Sequence, residues 1–320
     1  MVFPYTIKAQ TIDKPLRLDV FLASAIGQKE NLSRSVIQQM IAKGLVCVND
    51  KTQRNVSLKI KGGETITVEE LTLGKNELAP TLTVLYEDQD FVAIHKPANL
   101  LTHPTSSLAF TLDKDMMRNL AILRTPSVLN WILKCYPRSS LIPRFGIVHR
   151  LDSATSGVLL IAKTKSAYNS AIRLFSTRKI RKTYRVLAWG KVSPKEGVIA
   201  QPLAKRYKAK VKIVLSPTGK TAETAYKVLS SYDWVSDLEA YPKTGRTHQI
   251  RVHLASLGHP ICGDPIYRIS SLKNVQRFDR LMLHARKLEF IHPKTGKKVE
   301  ITAPFPQDFI EEYKKHQLNF

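Results

Sequence analysis

From Leu82 onward the sequence alternates short apolar runs with polar turns, and this rhythm constrains the fold more than any other feature. Short runs of this kind, bounded by turn residues, are typical of β-strands. Strands are predicted in LTVLYE, FVAIHKP, IVHRLD, GVLLIAK, TYRVLAWG, AETAYKVL, DLEAYP, LMLHARKLEF and KVEITAP. Helical spacing occurs between them, in PSVLNWILKCY and SAYNSAIRLF. Many short strands with few helices predict an α+β domain around a mixed, mainly antiparallel sheet.

The first seventy residues have a different pattern. Two amphipathic helices are predicted, in LRLDVFLASAI and LSRSVIQQMIAKG. They are followed by a short strand in LVCVND, which ends in an Asn-Asp turn, and by another in GGETITVEE. Residues 71–80 lack periodicity and contain Gly and Pro, which favours a linker. We therefore predict a small α/β domain over residues 1–70, a linker over 71–80 and the larger domain over 81–320. Ser106–Pro126 fits no strand rhythm and is predicted to be an irregular insertion.

The charge balance indicates the kind of partner. The 320 residues include 50 Lys and Arg against 26 Asp and Glu, a formal net charge of +24. A polyanion is the natural partner of such a chain. A membrane surface is the competing interpretation, but no apolar run approaches the about 20 residues of a spanning helix. The cations are also spread along the whole chain, which favours nucleic acid.

Cysteine and histidine spacing argues against a metal site or a disulfide framework. Cys47, Cys135 and Cys262 lie far apart without a CxxC pair, which is typical of a reducing compartment. His248 and His253 are spaced HxxxxH, which does not place both on one helix face as zinc-protease spacing does. The first residues show no signal-peptide pattern. We expect a cytoplasmic protein without a bound metal.

One acidic residue stands out in the stretch FGIVHRLDSATSGVLLIAKT, which covers Phe145–Thr164. Its pattern predicts two buried strands joined by a polar turn, and Asp152 lies in the turn. Two interpretations remain open from these residues alone. Asp and Ser-Gly are ordinary turn residues, whereas a lone carboxylate between apolar runs in a basic chain also suits a catalytic acid or base.

Two later stretches contain further candidate residues. IRKTYRVLAWG places Tyr184 in a predicted strand among cations. KTGRTHQIRVHLASLGHPICGDPIY, which covers Lys243–Tyr267, is dense in side chains that bind anions and amides. These side chains are Arg246, Thr247, His248, Gln249 and Arg251.

The three motifs taken together resemble a known enzyme family. HRLDxxTSG, then KxYxxxxxG, then GRTHQIRVHxxxxGHPIxGDxxY resemble the RluA-type pseudouridine synthases. The resemblance extends from Leu82 to Pro304. Between Leu16 and Val68, RLDxFL followed by LSRSxIxxxIxxGxVxVN resembles the S4 RNA-binding domain. The combination is most similar to the branch that acts on the large ribosomal subunit, the RluD-like members.

This resemblance implies a reaction and its residues. The family breaks the glycosidic bond of a uridine, turns the base and joins C5 to the same sugar, so we expect no metal, nucleotide or redox cofactor. Asp152 would be the catalytic carboxylate, either as nucleophile or as the base that removes a sugar proton. Burial raises the pKa of a carboxylic acid and a nearby cation lowers it, so a cationic partner is expected. Arg251 is the first candidate for that partner and Arg246 the second. Tyr184 would stack on the target base and help to handle the C5 proton.

The resemblance also implies contacts with RNA. A base must leave its stack to reach the carboxylate, and Arg150 is suited to support the displaced strand. The expected partner is ribosomal RNA, bound by a monomer without membrane association. The residues expected to contact the substrate are His149, Arg150, Thr155, Arg246, Thr247, His248 and Gln249. In the S4-like part, RNA contacts are expected from Arg17, Arg34 and Lys43.

The sequence departs from the family pattern in three places. Asn99 stands where the family usually has Gly, and Asn is the residue that best tolerates positive φ after Gly. Ser153 and Ala154 replace a more usual charged pair after Asp152. The insertion at Ser106–Pro126 could change access to the site. These departures bear on the choice of target rather than on the reaction.

Two rival functions come from other classes. A catalytically silent RNA-binding or ribosome-assembly factor on the same fold would have lost Asp152, Tyr184 or Arg251, and all three are present. A metal-dependent RNA hydrolase would need clustered acids or histidines, which the sequence lacks.

Overall fold

A computed structural model describes residues 5–10, 14–27, 34–42, 44–68, 79–103, 125–207, 211–268 and 277–319. The chain divides into two compact units. The first comprises Met1–Pro80 and His103–Phe145, and the second comprises Thr81–Thr102 and Gly146–Phe320. Most of the predicted linker and of the predicted insertion at Ser106–Pro126 lies outside the described residues.

The beginning of the first unit is a small α/β structure. Strands β1, β6, β3 and β4 form one antiparallel sheet in that order, and β2 pairs with β5. Both predicted helices are confirmed, although the first begins at Leu18 and continues into a π-helical turn, Ala23–Gly27. The elements are β1 (Tyr5–Lys8), β2 (Leu16–Arg17), α1 (Leu18–Leu22), α2 (Arg34–Ala42), β3 (Val46–Val48), β4 (Lys51–Gln53), β5 (Lys59–Ile60) and β6 (Thr65–Val68).

The helices form where apolar residues recur at helical spacing. Leu18 and Leu22 of α1, and Ile37 and Ile41 of α2, are each four residues apart, so each pair lies on one helix face. All four are buried in a single core together with apolar residues of the strands.

The turn between β3 and β4 was predicted from its residues. Asn49 and Asp50 have φ values of 48° and 62°. Two consecutive positive φ values are typical of the two-residue hairpin turn that matches strand twist, and Asn and Asp tolerate this conformation. The Asn-Asp turn is therefore confirmed.

The described residues 125–145 of the first unit are mainly helical. Helix α3 (Val128–Cys135) confirms the helical pattern of PSVLNWILKCY. Two 3₁₀ turns follow it, Pro137–Leu141 and Pro143–Gly146.

The second unit contains a nine-stranded sheet, ordered β11-β14-β15-β10-β16-β9-β8-β7, with β17 also paired to β16. Among the described residues β9 and β16 form the parallel pair, and the other pairs are antiparallel. A mixed, mainly antiparallel sheet is thus confirmed. The strands are β7 (Thr83–Glu87), β8 (Phe91–Lys96), β9 (Ser156–Ala162), β10 (Arg181–Trp189), β11 (Glu196–Ile199), β12 (Leu203–Tyr207), β13 (Val211–Leu215), β14 (Thr224–Ser231), β15 (Val235–Pro242), β16 (Leu283–Ile291) and β17 (Lys298–Thr302).

Strand β9 lies in the interior of this sheet, and every one of its residues is buried. A strand that is covered on both faces is continuously apolar rather than alternating, as GVLLIA is. Among the described residues three apolar clusters form the core of the unit. Its helices are α4 (Lys165–Ser176), α5 (Gln249–Ser256) and α6 (Gln307–Lys315).

One strand prediction was wrong. The run IVHRLD is not a strand, because only Ile147 forms an isolated bridge, to Ile161 of β9. Arg144, Phe145 and Gly146 precede it with φ between 54° and 79°, whereas an extended strand needs strongly negative φ. The chain therefore reaches Asp152 as a loop. Among the described helices and strands of the second unit, five fall outside the predicted set: β11, β12, β13, α5 and α6.

None of the described helices combines the length and the apolar content that spanning a membrane requires.

Candidate active site

Asp152 lies in the loop that leads into β9. The amide of Thr155 donates a hydrogen bond to the backbone oxygen of Asp152 at 3.1 Å, which closes a turn just before the strand. Gly157 in β9 has a φ of 120°, and a Cβ there would lie 2.2 Å from the backbone oxygen of Ala285 in β16. Only glycine permits this approach, so TSG fixes the point at which the Asp152 loop enters the sheet.

The backbone of this loop is held by a buried lysine. Lys96, the last residue of β8, is completely buried, and its Nζ donates to the carbonyls of Pro97, Leu100 and Ser153 at 2.8, 2.7 and 2.9 Å. Burial lowers the pKa of Lys96 to about 7, and the charge of Asp152 opposes that shift. Lys96 therefore ties the loop after β8 to the residue that follows Asp152.

A second contact holds the same loop. The hydroxyl of Thr102 donates to the backbone oxygen of Leu151 at 2.9 Å. Between the two anchoring residues lies Asn99, whose φ of 61° confirms the positive-φ turn expected from its place in KPAN. The residues around Asp152 are thus positioned through their backbone.

Arg251 contacts the carboxylate of Asp152. It is 3% exposed, and its Nη1 lies 3.3 Å from Oδ2 of Asp152. Its Nε and Nη2 donate to the two carboxylate oxygens of Asp264 at 2.7 and 2.8 Å, a bidentate pair. Burial alone would lower the pKa of Arg251, but Asp264 and then Asp152 raise it. Asp264 in turn accepts from the amides of Ile266 and Tyr267, so Arg251 is fixed before any substrate binds.

His248 approaches the same carboxylate oxygen as Arg251. Its Nε2 is 3.9 Å from Oδ2 of Asp152, and its Nδ1 is 3.0 Å from the hydroxyl of Tyr267. His248 precedes α5 with a φ of 54°, a backbone conformation that non-glycine residues adopt rarely. The side chains of His248 and Asp152 are 19% and 16% exposed, so both are reachable from outside.

Tyr184 lies in β10 at an irregularity in its pairing with β16. Its cross-strand neighbours are Ala240 of β15 and Ala285 of β16, two small residues that leave room beside the ring. Irregularities of this kind redirect side chains and are frequent next to active sites. Burial first, and the charge of Asp152 second, raise the pKa of the Tyr184 hydroxyl well above its usual value. The phenol therefore carries its proton at neutral pH.

Gln249 supports the local structure. Its amide nitrogen donates to the backbone oxygen of Glu223 and to the hydroxyl of Thr224, both at 2.9 Å. Its amide oxygen accepts from the hydroxyl of Thr244 at 2.7 Å and from the amide of Arg246 at 3.0 Å. These four contacts use the whole hydrogen-bonding capacity of the side chain, so Gln249 holds the GRTHQ turn in shape.

His149 is likewise engaged by the protein itself. Its Nε2 accepts from the amide of Leu160 in β9 at 2.8 Å, and its ring packs on Phe175 with centroids 4.8 Å apart. Burial, assisted by the charge of Lys182, lowers the pKa of His149 to about 3, which keeps the ring a neutral acceptor.

The other predicted substrate contacts differ in exposure. Thr155 is buried, Thr247 is partly buried, and Arg150 and Arg246 are exposed. Arg246 donates through Nε to the backbone oxygen of Thr221 at 3.0 Å. Among the described residues the arginine that contacts Asp152 is Arg251, so Arg251 rather than Arg246 is the partner of that carboxylate. Arg150 lies close enough to act electrostatically on His248.

The predicted cations of the S4-like part belong to the other unit and share one acid. Arg17 and Arg34 each contact the buried carboxylate of Asp19 at 3.0 Å, and Gln38 donates to it at 2.6 Å. Burial would raise the pKa of Asp19, but hydrogen bonds from Arg17, Gln38 and Arg34 hold it well below its usual range. Lys43 lies outside the described residues.

Sequence reasoning missed three residues of the Asp152 site: Lys96, Asp264 and Tyr267. Two of them stand in the quoted motif GHPIxGDxxY, which the sequence-based interpretation left without a role, and Lys96 stands in IHKP. The sequence feature that could have identified them is an acid and a lysine next to apolar runs. Among the described ranges, no group of three or more His, Cys, Asp or Glu residues could hold a metal ion.

Comparison with known proteins identifies the family. A model of the RNA pseudouridylate synthase family matches residues 90–256, and a model of the S4 domain matches residues 16–66. The first match covers Asp152, Tyr184, His248 and Arg251. The chain belongs to the RNA pseudouridylate synthase family and is an isomerase of RNA uridines.

Curated relatives match nearly the whole chain. A protein of Haemophilus influenzae named ribosomal large subunit pseudouridine synthase D is 35% identical over 322 residues, covering 94% of this chain and 93% of the relative. The protein of the same name from Escherichia coli strain K12 is 32% identical over 308 residues, covering 92% and 89%.

Two solved structures resemble the chain. Human RNA pseudouridylate synthase domain containing 4 is 25% identical with a TM-score of 0.55, covering 74% of this chain and 94% of that one. Human RNA pseudouridylate synthase domain containing 1 is 27% identical with a TM-score of 0.53, covering 73% and 86%.

Proposed function

We propose that this protein converts uridine to pseudouridine in the ribosomal RNA of the large subunit, with Asp152 as the catalytic carboxylate. The observation that carries the proposal is the arrangement around Asp152. A carboxylate that is 16% exposed has one arginine at 3.3 Å, and that arginine is itself fixed by Asp264. The names of the curated relatives, which extend over nearly the whole chain, support the large-subunit target.

The proposed reaction suits these residues. Cleavage of the glycosidic bond needs either a nucleophile for C1′ or a base for a sugar proton, and an accessible anion can do either. The guanidinium of Arg251 stabilises negative charge on Asp152 in a water-poor site. Tyr184, in a strand beside two alanines, offers a flat apolar face on which the detached base can turn. Both routes for Asp152 stay open in this proposal.

Binding of RNA would rest on charge and shape. The net charge of +24 favours phosphate contacts, and the S4-domain match locates one RNA-binding module at residues 16–66. The target uridine must be flipped out of its stack, which costs a few kcal/mol. Exposed Arg150, two residues before Asp152, is suited to contact the displaced strand. We further propose that the protein works as a monomer in the cytoplasm, where ribosomal RNA would be its partner.

Mapping of pseudouridine in ribosomal RNA tests the target. Total RNA from cells with and without the gene is compared position by position, and the purified protein is then added to the unmodified RNA. We expect one or a few large-subunit uridines to lose the modification and to regain it in vitro. Loss confined to transfer RNA or small-subunit RNA would contradict the proposed target.

A catalytically silent RNA-binding factor is the alternative function. A silent factor would not need an arginine held beside Asp152. In this protein the bidentate pair with Asp264 holds Arg251 there, although burying the two charges costs free energy. Restoration of pseudouridine by wild-type protein but not by Asp152→Asn separates the two functions.

We also propose the division into residues 1–70, a linker at 71–80 and a catalytic domain at 81–320. The start of the second compact unit at Thr81 supports this boundary, while residues His103–Phe145 group with the first unit. Limited proteolysis tests it. We expect early cleavage between residues 69 and 80 and a protected fragment that contains Asp152, and early cleavage inside residues 81–102 instead would contradict the boundary.

A further inference from the structure

Pseudouridine formation ends with a proton transfer for which the site needs an acceptor. Once C5 of the turned base has bonded to C1′, C5 still carries its hydrogen. The C5–H bond must break, its electron pair must restore the C5=C6 double bond, and N1 must gain a proton. This inference rests on the proposed function and asks which side chain receives the C5 proton.

Tyr184 is poorly suited to be that acceptor. A phenol accepts a proton only after losing its own, and the pKa of Tyr184 is raised by burial and by the charge of Asp152. Its hydroxyl is therefore protonated at neutral pH, and its ring remains available for packing on the base.

His248 has the geometry of an acceptor. Its Nε2 lies 3.9 Å from Oδ2 of Asp152, at the same carboxylate that acts on the sugar, and 19% of the side chain is exposed. Its ring is held edge-on to Tyr267, with centroids 5.6 Å apart, by the contact of Nδ1 with the Tyr267 hydroxyl. The positive φ of His248 turns the residue out of the helix that follows, so its position is set by backbone and side chain together.

Hydrogen-bond counting assigns the ring proton. The hydroxyl of Tyr267 has one proton and two lone pairs. It lies 3.2 Å from both the amide nitrogen and the carbonyl oxygen of Ile213 in β13. The amide can only donate to this hydroxyl. We assign the hydroxyl proton to the carbonyl of Ile213, which leaves one lone pair of the hydroxyl for His248. With that assignment Nδ1 is the donor to Tyr267, and Nε2 carries the ring lone pair on the side of Asp152.

Burial keeps this imidazole neutral at rest. Burial has the largest effect and lowers the pKa of His248 below its usual value of 6.5. The charges of Asp152 and Asp264 oppose the shift, and those of Arg251 and Arg150 reinforce it. A neutral ring with a free lone pair is the form that can accept a proton.

We propose that Nε2 of His248 is the base that removes the C5 proton in the last step of the reaction. The proton passes from C5 to Nε2, the electron pair of the C5–H bond becomes part of the C5=C6 double bond, and the imidazole becomes imidazolium. The imidazolium then gives its proton to N1 or to water. No oxidant or other reagent is consumed, and the enzyme returns to its starting state.

Asp152 can stabilise the imidazolium in this step whether it begins the reaction as a nucleophile or as a base. As a nucleophile it leaves C1′ when C5 bonds there, and as a base it has returned the sugar proton by then. In both cases it is ionised when C5 is deprotonated, and its Oδ2 lies 3.9 Å from the nitrogen that becomes charged. An opposite charge at this distance favours the imidazolium.

Single-turnover kinetics on RNA carrying either hydrogen or deuterium at C5 of the target uridine tests the proposal. For His248→Gln we expect pseudouridine formation to slow by about 10²–10⁴-fold, the range for loss of a general base. The residual reaction should show a primary C5 isotope effect that wild type lacks, while RNA affinity is retained. His248→Ala is the second variant, and imidazole added to it should restore part of the rate. Tyr184→Phe is the comparison, in which slowing should come without the isotope effect.

The outcomes separate this inference from the proposed function. If wild type forms no pseudouridine on ribosomal RNA, the proposed function fails first. If wild type is active and His248→Gln is as fast as wild type, His248 is not the base. The same conclusion follows if His248→Gln is slow but shows no isotope effect and imidazole does not restore the rate of His248→Ala. An isotope effect that appears in Tyr184→Phe alone would assign the proton to Tyr184.

Discussion

Asp19 of the first unit and Asp152 of the second are both carboxylates next to arginine, yet their surroundings differ. Asp19 is completely buried and accepts hydrogen bonds from Arg17, Arg34 and Gln38. Asp152 is 16% exposed and, among the described residues, has one side-chain hydrogen bond, from Arg251 at 3.3 Å.

The difference shows how one residue type serves two purposes. At Asp19 the protein's donors occupy both carboxylate oxygens, so the acid organises two helices and cannot react. At Asp152 the strong contacts are directed elsewhere: Lys96 binds backbone carbonyls and Arg251 binds Asp264 bidentately. These contacts fix the position of Asp152 while leaving its oxygens open to a substrate, the preorganisation expected of a catalytic group.

The largest expected effect separates the two acids. Asp152→Asn should abolish turnover, by about 10⁴-fold or more as when a nucleophile or its base is removed, with the fold and RNA affinity retained. Asp19→Asn should do the reverse and lower the stability of the first unit by about 1–3 kcal/mol. Single-turnover assays and thermal unfolding of both variants measure this. Turnover by Asp152→Asn above the level of contamination would break the comparison.

The next effect tests whether Arg251 is positioned by Asp264. Asp264→Asn keeps the size of the side chain but weakens the bidentate pair, so Arg251 shifts from Asp152. We expect kcat to fall about 10²-fold, the loss associated with misplacement of about 1 Å, with RNA affinity nearly unchanged. Asp279→Asn is the matched control, because Asp279 forms an exposed ion pair with Lys315. Equal kcat in the two variants would show that Arg251 does not need Asp264.

The third prediction concerns pH and the buried lysine. Burial lowers the pKa of Lys96 from 10.5 to about 7. Between these values the unfolded chain binds one more proton at Lys96 than the folded chain does. The stability of wild type relative to Lys96→Met should therefore rise with pH across this window, with a slope approaching about 1.4 kcal/mol per pH unit.

Denaturant unfolding of both proteins between pH 6 and pH 10 measures that slope. A difference that stays constant with pH would show that the three carbonyl contacts keep Lys96 protonated throughout. In that case the charge of Lys96 would be stabilised by its hydrogen-bond partners as fully as the charge of Asp19 is. The contrast between the charged groups of the two units would then weaken.

The smallest effect concerns the exposed arginines around Asp19. Arg34 is 52% exposed although it contacts Asp19, so its guanidinium can also reach a phosphate. Arg34→Gln should reduce the slope of log K against log salt by about 1 and leave kcat unchanged at saturating RNA. Lys315→Gln, in the other unit, is the control. An unchanged salt slope would mean that Arg34 serves Asp19 alone.

Several elements could be predicted because their cause is local. The hairpin at Asn49 and Asp50 follows from the φ values these residues tolerate, and helix α2 follows from Ile37 and Ile41 at four-residue spacing. The strands of the second unit follow from runs such as GVLLIA, which is too short and too rich in branched residues for a helix. The wrong strand prediction at IVHRLD has a local cause as well, because the positive φ values of Arg144 and Phe145 cannot be recognised from the pattern of apolar residues.

The chemical identity of the site was determined by the sequence: the acid, the arginine and the tyrosine each stand in a recognisable motif. The partnerships were decided by the tertiary structure alone. Arg251 and Asp264 are 13 residues apart and Lys96 and Ser153 are 57 apart, and they meet only because helix α5 and the paired strands β8 and β9 bring them together. Motifs record which residue types a reaction needs. The pairing of buried charges depends on distances across the fold, because Coulomb and hydrogen-bond interactions act through space.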